Sequence, residues 1–139
     1  MKRFVVTVAF LVWFQMPSGC GREPAPGVKV EGVAALCRER DRYAGRVVTI
    51  EGIFQGWRVA DCRFLDAASP AITRSDWLIR TDTECLYVSG GLPGDLNPAN
   101  PKDVGRQLEL RAKAERNKDG KLYLKYLGSR LINKPSRNP

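Results

Sequence analysis

Gln107-Leu108-Glu109-Leu110-Arg111-Ala112-Lys113-Ala114-Glu115-Arg116, with Asn117-Lys118-Asp119-Gly120 behind it, is the stretch that decides the fold class. Polar and apolar residues alternate through it without a slip. A period of two belongs to a strand, because successive side chains point to opposite faces. Read from Arg106 to Arg116, this strand is predicted to face a core with Leu108, Leu110, Ala112 and Ala114. Gln107, Glu109, Arg111, Lys113 and Glu115 are predicted to face outward. The Asp119-Gly120 pair is a hairpin-turn signal, so Lys121 to Leu131 is predicted to return as the partner strand.

The same logic extends toward the N-terminus. Arg46 to Trp57 is rich in β-branched and aromatic residues, which suit a strand. Val48, Ile50, Gly52 and Phe54 share one face of it, and a glycine in mid-strand suggests a bend or bulge. Asp76 to Arg80 and Cys85 to Ser89 read as a short hairpin around Asp82-Thr83-Glu84. Gly90 to Asp103 carries Pro93, Pro98 and Pro101 with Gly90, Gly91 and Gly94, and reads as a long loop. Arg58 to Ser75 reads as irregular. Ahead of the strands, Val30, Val33, Ala34 and Cys37 fall on one face of a short helix between Val30 and Arg40. The expected class is therefore all-β with a short N-terminal helix. Five short strands with a bent first strand can close into a small barrel.

Three stretches carry a resemblance. Tyr43-Ala44-Gly45 ahead of Val48-Thr49-Ile50-Glu51-Gly52 resembles the start of the first strand in many bacterial OB domains. Thr73-Arg74-Ser75-Asp76-Trp77, followed by Cys85-Leu86-Tyr87-Val88-Ser89-Gly90, is similar to a pattern in small prokaryotic OB-like proteins. Asp119-Gly120-Lys121-Leu122-Tyr123-Leu124 resembles their final hairpin. The resemblance spans about Val30 to Ile132 and implies a five-stranded OB-like Greek-key barrel. It identifies a fold, and a fold alone does not give a function.

The first twenty residues have a different character. Lys2 and Arg3 precede an apolar run from Phe4 to Met16, and Pro17-Ser18-Gly19 lead into Cys20. A basic start, a short apolar run and small residues form an export signal. The run is shorter than the roughly 20 residues a membrane-spanning helix needs. Ser18-Gly19-Cys20 resembles the end of a bacterial lipoprotein signal, with Pro17 where that family usually has an aliphatic residue. The resemblance implies acylation of Cys20 and a membrane anchor. A cleaved signal without lipid and an uncleaved anchor are the other readings of the same residues. The expected layout is a signal peptide (1–19), a flexible tether (20–29), an OB-like domain (30–132) and a disordered tail (133–139). The expected location is the bacterial cell envelope, lipid-anchored and outside the cytoplasm.

With Cys20 lipidated, Cys37, Cys62 and Cys85 remain, which allows three pairings with one cysteine left over. Cys37 sits on the apolar helix face and suits a buried thiol. In an OB meander the loop after the first strand neighbours the third, so Cys62–Cys85 is the expected disulfide. Closing that loop contributes about 3 kcal/mol on the chain-entropy model.

The chain has 139 residues, a net charge of +8 and no histidine. Lys2 and Arg3 leave with residues 1–19 and no acid does, so the remainder carries +6. A basic domain suits nucleic acid, anionic lipid or an acidic partner. A basic surface beside an anionic membrane also needs no specific ligand. The absence of histidine removes the commonest general base, metal ligand and pH switch. No close cysteine pair gives a zinc spacing, a cysteine nucleophile would lack its histidine partner, and no glycine-rich loop has the form of a phosphate cradle. No catalytic residue, metal or cofactor is expected.

The OB resemblance implies a ligand surface across the second and third strands and their flanking loops. On it fall Trp57, Arg58, Arg63, Arg74, Trp77 and Tyr87, with Lys118 and Lys121 from the last hairpin. Aromatics interleaved with arginine suit stacking on bases or sugars. The structural alternatives are that Trp77 caps the core and that Tyr87 packs on the disulfide. The expected function is a membrane-tethered, non-enzymatic OB-fold module that binds a protein, glycan or other anionic envelope component. An oligonucleotide-binding OB protein is the alternative, made less apt by an extracytoplasmic location. A nuclease-type OB enzyme lacks an acidic metal cluster in the sequence.

Overall fold

The computed structural model describes residues 27–132. The expected signal peptide, the Cys20 lipidation site, most of the tether and the tail beyond Ile132 lie outside these residues. Six strands and two short helices run in the order β1 (Val28–Val30), α1 (Val33–Arg38), α2 (Arg40–Tyr43), β2 (Val47–Gly56), β3 (Trp77–Thr81), β4 (Glu84–Ser89), β5 (Gln107–Arg116) and β6 (Leu122–Leu131).

The alternating stretch is β5. Leu108, Leu110, Ala112 and Ala114 are all 0% exposed, and the intervening residues are half-buried. β5 pairs antiparallel with β6 from Leu108↔Leu131 to Arg116↔Leu122, with a bulge that falls at Leu127. It also pairs antiparallel with β2 from Val47↔Lys113 to Ile53↔Gln107, and this second pairing closes the barrel. Around the barrel the order is β2-β3-β4-β6-β5. The β4–β6 contact is parallel, at Val88↔Leu124 and Ser89↔Lys125. The Gly90–Arg106 connection therefore crosses over, and β6 slots between β4 and β5. This is an OB-like, all-β barrel of five strands.

β2 must serve two partners, because its first half pairs with β5 and its last residues pair with β3. Gly52 lies at the handover. A Cβ there would stand 2.7 Å from Ile79 Cγ1 and 2.9 Å from the Arg80 carbonyl oxygen. Only a residue without a side chain lets the strand turn that closely against β3. The pairing then slips between Phe54 and Gly56, a bulge that adds further twist.

Two features differ from the sequence expectation. The tether's last residues form β1, which pairs parallel with β2 at Val28↔Val48 and Val30↔Ile50. The helix consequently starts at Val33 rather than Val30. Its buried residues are Val33, Leu36 and Cys37, and the Val33 amide donates to Thr81 Oγ1 at 2.8 Å, which ties the helix to the end of β3. Burial pushes the Cys37 thiol up to about 11, against a smaller opposing effect of Arg40. It remains a neutral core group. Among the described residues no helix is long and apolar enough to cross a membrane.

Candidate functional site

The long segment between β2 and β3 builds the site. β3 and β4 present Trp77, Ile79, Leu86 and Val88 to the core. On the opposite face, Leu78 is paired with Tyr87, and Arg80 with Cys85. An exposed ligand face would leave these residues in solvent, yet Leu78 and Cys85 are both 0% exposed. The chain covers its own sheet here. Cys62 is disulfide-bonded to Cys85, the pairing expected from the strand order. Beside it the Arg63 amide donates to the Thr83 carbonyl at 2.8 Å, and the Cys85 amide donates to the Arg63 carbonyl at 3.0 Å. Further along, the Ser69 amide donates to the Leu122 carbonyl and the Leu122 amide to the Ala67 carbonyl, each at 2.7 Å. The segment thus fills the gap left where β4 and β6 diverge.

The closing hairpin meets this segment directly. Asn117 Oδ1 accepts from the Asp119 and Lys121 amides, both at 2.9 Å, and so shapes the turn. Its Nδ2 donates to Ser69 Oγ at 2.9 Å. Between the two loops lies a groove of about 450 Å³, lined by Phe64, Leu65, Asp66, Ala68, Ser69, Pro70, Tyr87 and Lys121. Phe64 stacks on Tyr87 with ring centroids 5.8 Å apart and planes 14° from parallel. Phe64 is 41% exposed, so one ring face is open to solvent. A large apolar ring with an open face is costly to leave in water and is a ready platform for a ligand's apolar side. Lys121 places an ammonium group at the rim.

The expected site residues divide among four environments. Tyr87 lies in the groove. Arg63 flanks it on the bridge to β4 and is 3.9 Å from Glu84. Trp57 and Arg58 instead line a separate shelf with Pro98, Ala99, Pro101 and Val104. Gly56 seats this shelf with a φ of 60°, where a Cβ would stand 2.4 Å from the Pro98 oxygen. Trp57 is 50% exposed, and Arg58 pairs loosely with Asp61 at 3.9 Å. Arg74 is exposed on the turn before β3. Trp77 is corrected outright: it is 0% exposed, packs against Phe54 with centroids 5.1 Å apart, and donates its indole N–H to the Gly91 carbonyl at 2.7 Å. It is a core residue and offers no surface to a ligand.

Asp76 holds the turn that carries Arg74. Its carboxylate accepts from the Ile72 amide at 2.6 Å and the Thr73 amide at 3.0 Å, and from the Thr73 hydroxyl. Burial alone would raise its pKa. The hydrogen bonds from Thr73, Ser89 and Ile72 outweigh that and hold the carboxyl below its ordinary value. On the outer face of β2 and β3, Gln55 is 2% exposed. It accepts from Arg80 Nε at 3.1 Å and donates to Asp61 at 3.4 Å.

Sequence reasoning missed Phe64, Asp66, Gln55 and Arg80. Phe64 sits in a stretch without periodicity, and only the expected disulfide signals in the sequence that this stretch meets the strand of its partner Tyr87. Among the described residues no group of His, Cys, Asp and Glu could hold a metal ion. No protein-family model matches the chain, and no curated protein matches it significantly.

Proposed function

We propose that this chain is a membrane-tethered, extracytoplasmic OB-fold module that binds an anionic component of the cell envelope, with an anionic glycan the best fit. The carrying observation is the groove in which the stacked Phe64–Tyr87 pair lies beside Lys121. The apolar face of a sugar ring stacks on an aromatic ring, and an acidic substituent meets the ammonium group at the rim. The disulfide supports the location, since such bonds persist in oxidising compartments. The basic, apolar and small residues that end at Cys20 support export and lipid anchoring.

Titration with a uronic-acid polysaccharide tests the reading. Phe64→Ala and Lys121→Ala are each expected to weaken binding by roughly tenfold, the scale of a lost aromatic stack or charge contact, with the melting temperature held. Wild-type affinity in both variants removes the groove from the reading. A single-stranded oligonucleotide belongs in the same experiment. Tighter binding of it, with a steep loss of affinity as salt rises, would replace the glycan by nucleic acid.

A further inference from the structure

We infer that the Cys62–Cys85 disulfide is a redox latch, whose reduction frees residues 57–66 from β4 while the barrel stays folded. Little else fastens this stretch. Every residue from Trp57 to Asp66 except Cys62 and Leu65 is exposed. None of them is a buried member of the core; Leu65 only packs against its outside. Beyond the disulfide, the stretch is tied to the rest of the domain by the two backbone bonds of Arg63 and by the Trp57 and Arg58 amides, which donate to the Pro98 and Gln55 carbonyls at 3.2 Å each, by the Gln55–Asp61 bond of 3.4 Å, the Arg63–Glu84 pair at 3.9 Å and the half-open Phe64–Tyr87 stack. Segments with so few buried contacts open locally, well below the free energy of global unfolding. The opening stops at Ala67–Ser69, where two 2.7 Å backbone bonds to Leu122 and the Asn117 contact remain. The barrel's own closure, through β2–β5 and β5–β6, involves none of these residues.

The two sulfurs are unequal, which fixes the chemistry. Cys62 is half-buried, whereas Cys85 is 0% exposed. A dithiol reductant therefore attacks the Cys62 sulfur with one thiolate. The Cys62–Cys85 bond breaks, and its electron pair leaves on the Cys85 sulfur, which takes up a proton. The reductant's second thiolate then attacks its own sulfur in the mixed disulfide and expels Cys62, which is protonated in turn. The protein gains two electrons and two protons, and the dithiol ends as its disulfide. Phe64, Leu65 and Asp66 leave with the freed stretch. If the groove is the binding site proposed above, binding then requires the oxidised protein.

Amide NMR spectra with and without dithiothreitol test the latch with no ligand present. Resonances of residues 57–66 are expected to move to random-coil positions, while those of Ile50, Leu110 and Ala112 stay dispersed. Trypsin is expected to cut after Arg58 and Arg63 at least about tenfold faster in the reduced protein, since cleavage follows the open population. Collapse of the whole spectrum, or an unmoved segment, overturns the latch. Cys62→Ser opens the segment without reductant and keeps the buried Cys85 side chain; global unfolding of this variant also overturns it. Trapping with glutathione should place the adduct on Cys62, and an adduct on Cys85 overturns the order of attack. Polysaccharide titration of both redox states separates the two proposals. No binding in either state removes the groove reading and leaves the latch standing, whereas equal binding with the segment open removes the redox dependence.

Discussion

Asp76 shows how one side chain can be decisive without being a ligand. In the sequence it only opens the stretch Asp76 to Arg80; in the structure its carboxylate gathers the Ile72 and Thr73 amides and the Thr73 hydroxyl, at 3% exposure. Its pKa is lowered in the folded state despite burial. The charged form is therefore favoured by folding, and its contribution is fully present above the unfolded carboxyl value of 3.8. It is lost as pH falls through the lower folded value. Urea unfolding of wild type and Asp76→Asn should show a stability gap that is constant above about pH 5 and shrinks below the unfolded value. Parallel pH profiles would mean that the Asp76 carboxylate does not carry this pH dependence. Trp57 and Trp77 show the limit of the sequence at this scale. Trp77-Leu78-Ile79 is apolar without a break, because the strand is covered on both faces, by core and by the Cys62 segment. With no polar residue to set the phase, alternation cannot say which side chain points inward. The sequence places both Trp57 and Trp77 on the ligand face, yet Trp57 is 50% exposed and Trp77 is fully buried.

At the scale of elements, what is local was legible and what is non-local was not. The β5–β6 hairpin is written in period-two alternation and an Asp-Gly turn, both within one short stretch, and it forms with Leu108, Leu110, Ala112 and Ala114 facing the core as expected. The bend in β2 was marked by Gly52. Adding one methyl group there meets Ile79 and the Arg80 carbonyl at 2.7 and 2.9 Å, and a β-strand wedged between two partners has little room to yield. Gly52→Ala should therefore cost about 1–3 kcal/mol, the usual scale of overpacking. Gly120→Ala would not report on the bend, because its strain comes from a positive φ of 76° in a turn with open space around it. Chemical denaturation checks the first value; an unchanged midpoint for Gly52→Ala would mean that β2 and β3 separate at no cost. β1 escaped sequence reading because it has three residues and its partner lies some twenty residues on. The fold of residues 57–76 escaped for a related reason. It is made of single-residue bridges, Arg63↔Glu84 and Ala68↔Leu122, and these leave no periodic trace. The disulfide was the one legible sign that this segment returns to the sheet.

For the whole molecule, the open question is where the barrel is held, and chain length sets a tight bound on the answer. The first described strand begins at Val28 and is locked in register beside Val48. Cys20 precedes it by eight residues, which span at most about 28 Å when fully extended. If Cys20 is acylated, the β1 end of the barrel cannot stray farther than that from the bilayer surface. The remaining +6 charge would then face anionic headgroups within a few Debye lengths. Charge alone could not separate this arrangement from a free basic domain, because the basic residues form no dense run and several are paired, such as Arg130 with Glu109 at 3.1 Å. Metabolic labelling with a fatty acid decides it. Wild type should take up label and fractionate with membranes, and Cys20→Ser should lose the label while keeping the Cys62–Cys85 bond. A wild-type chain that exports, forms the disulfide and carries no lipid would sink the anchor and leave the export reading intact. A chain that neither exports nor forms the disulfide in its host would remove both, and with them the oxidising surroundings on which the closed state of the 57–66 segment depends.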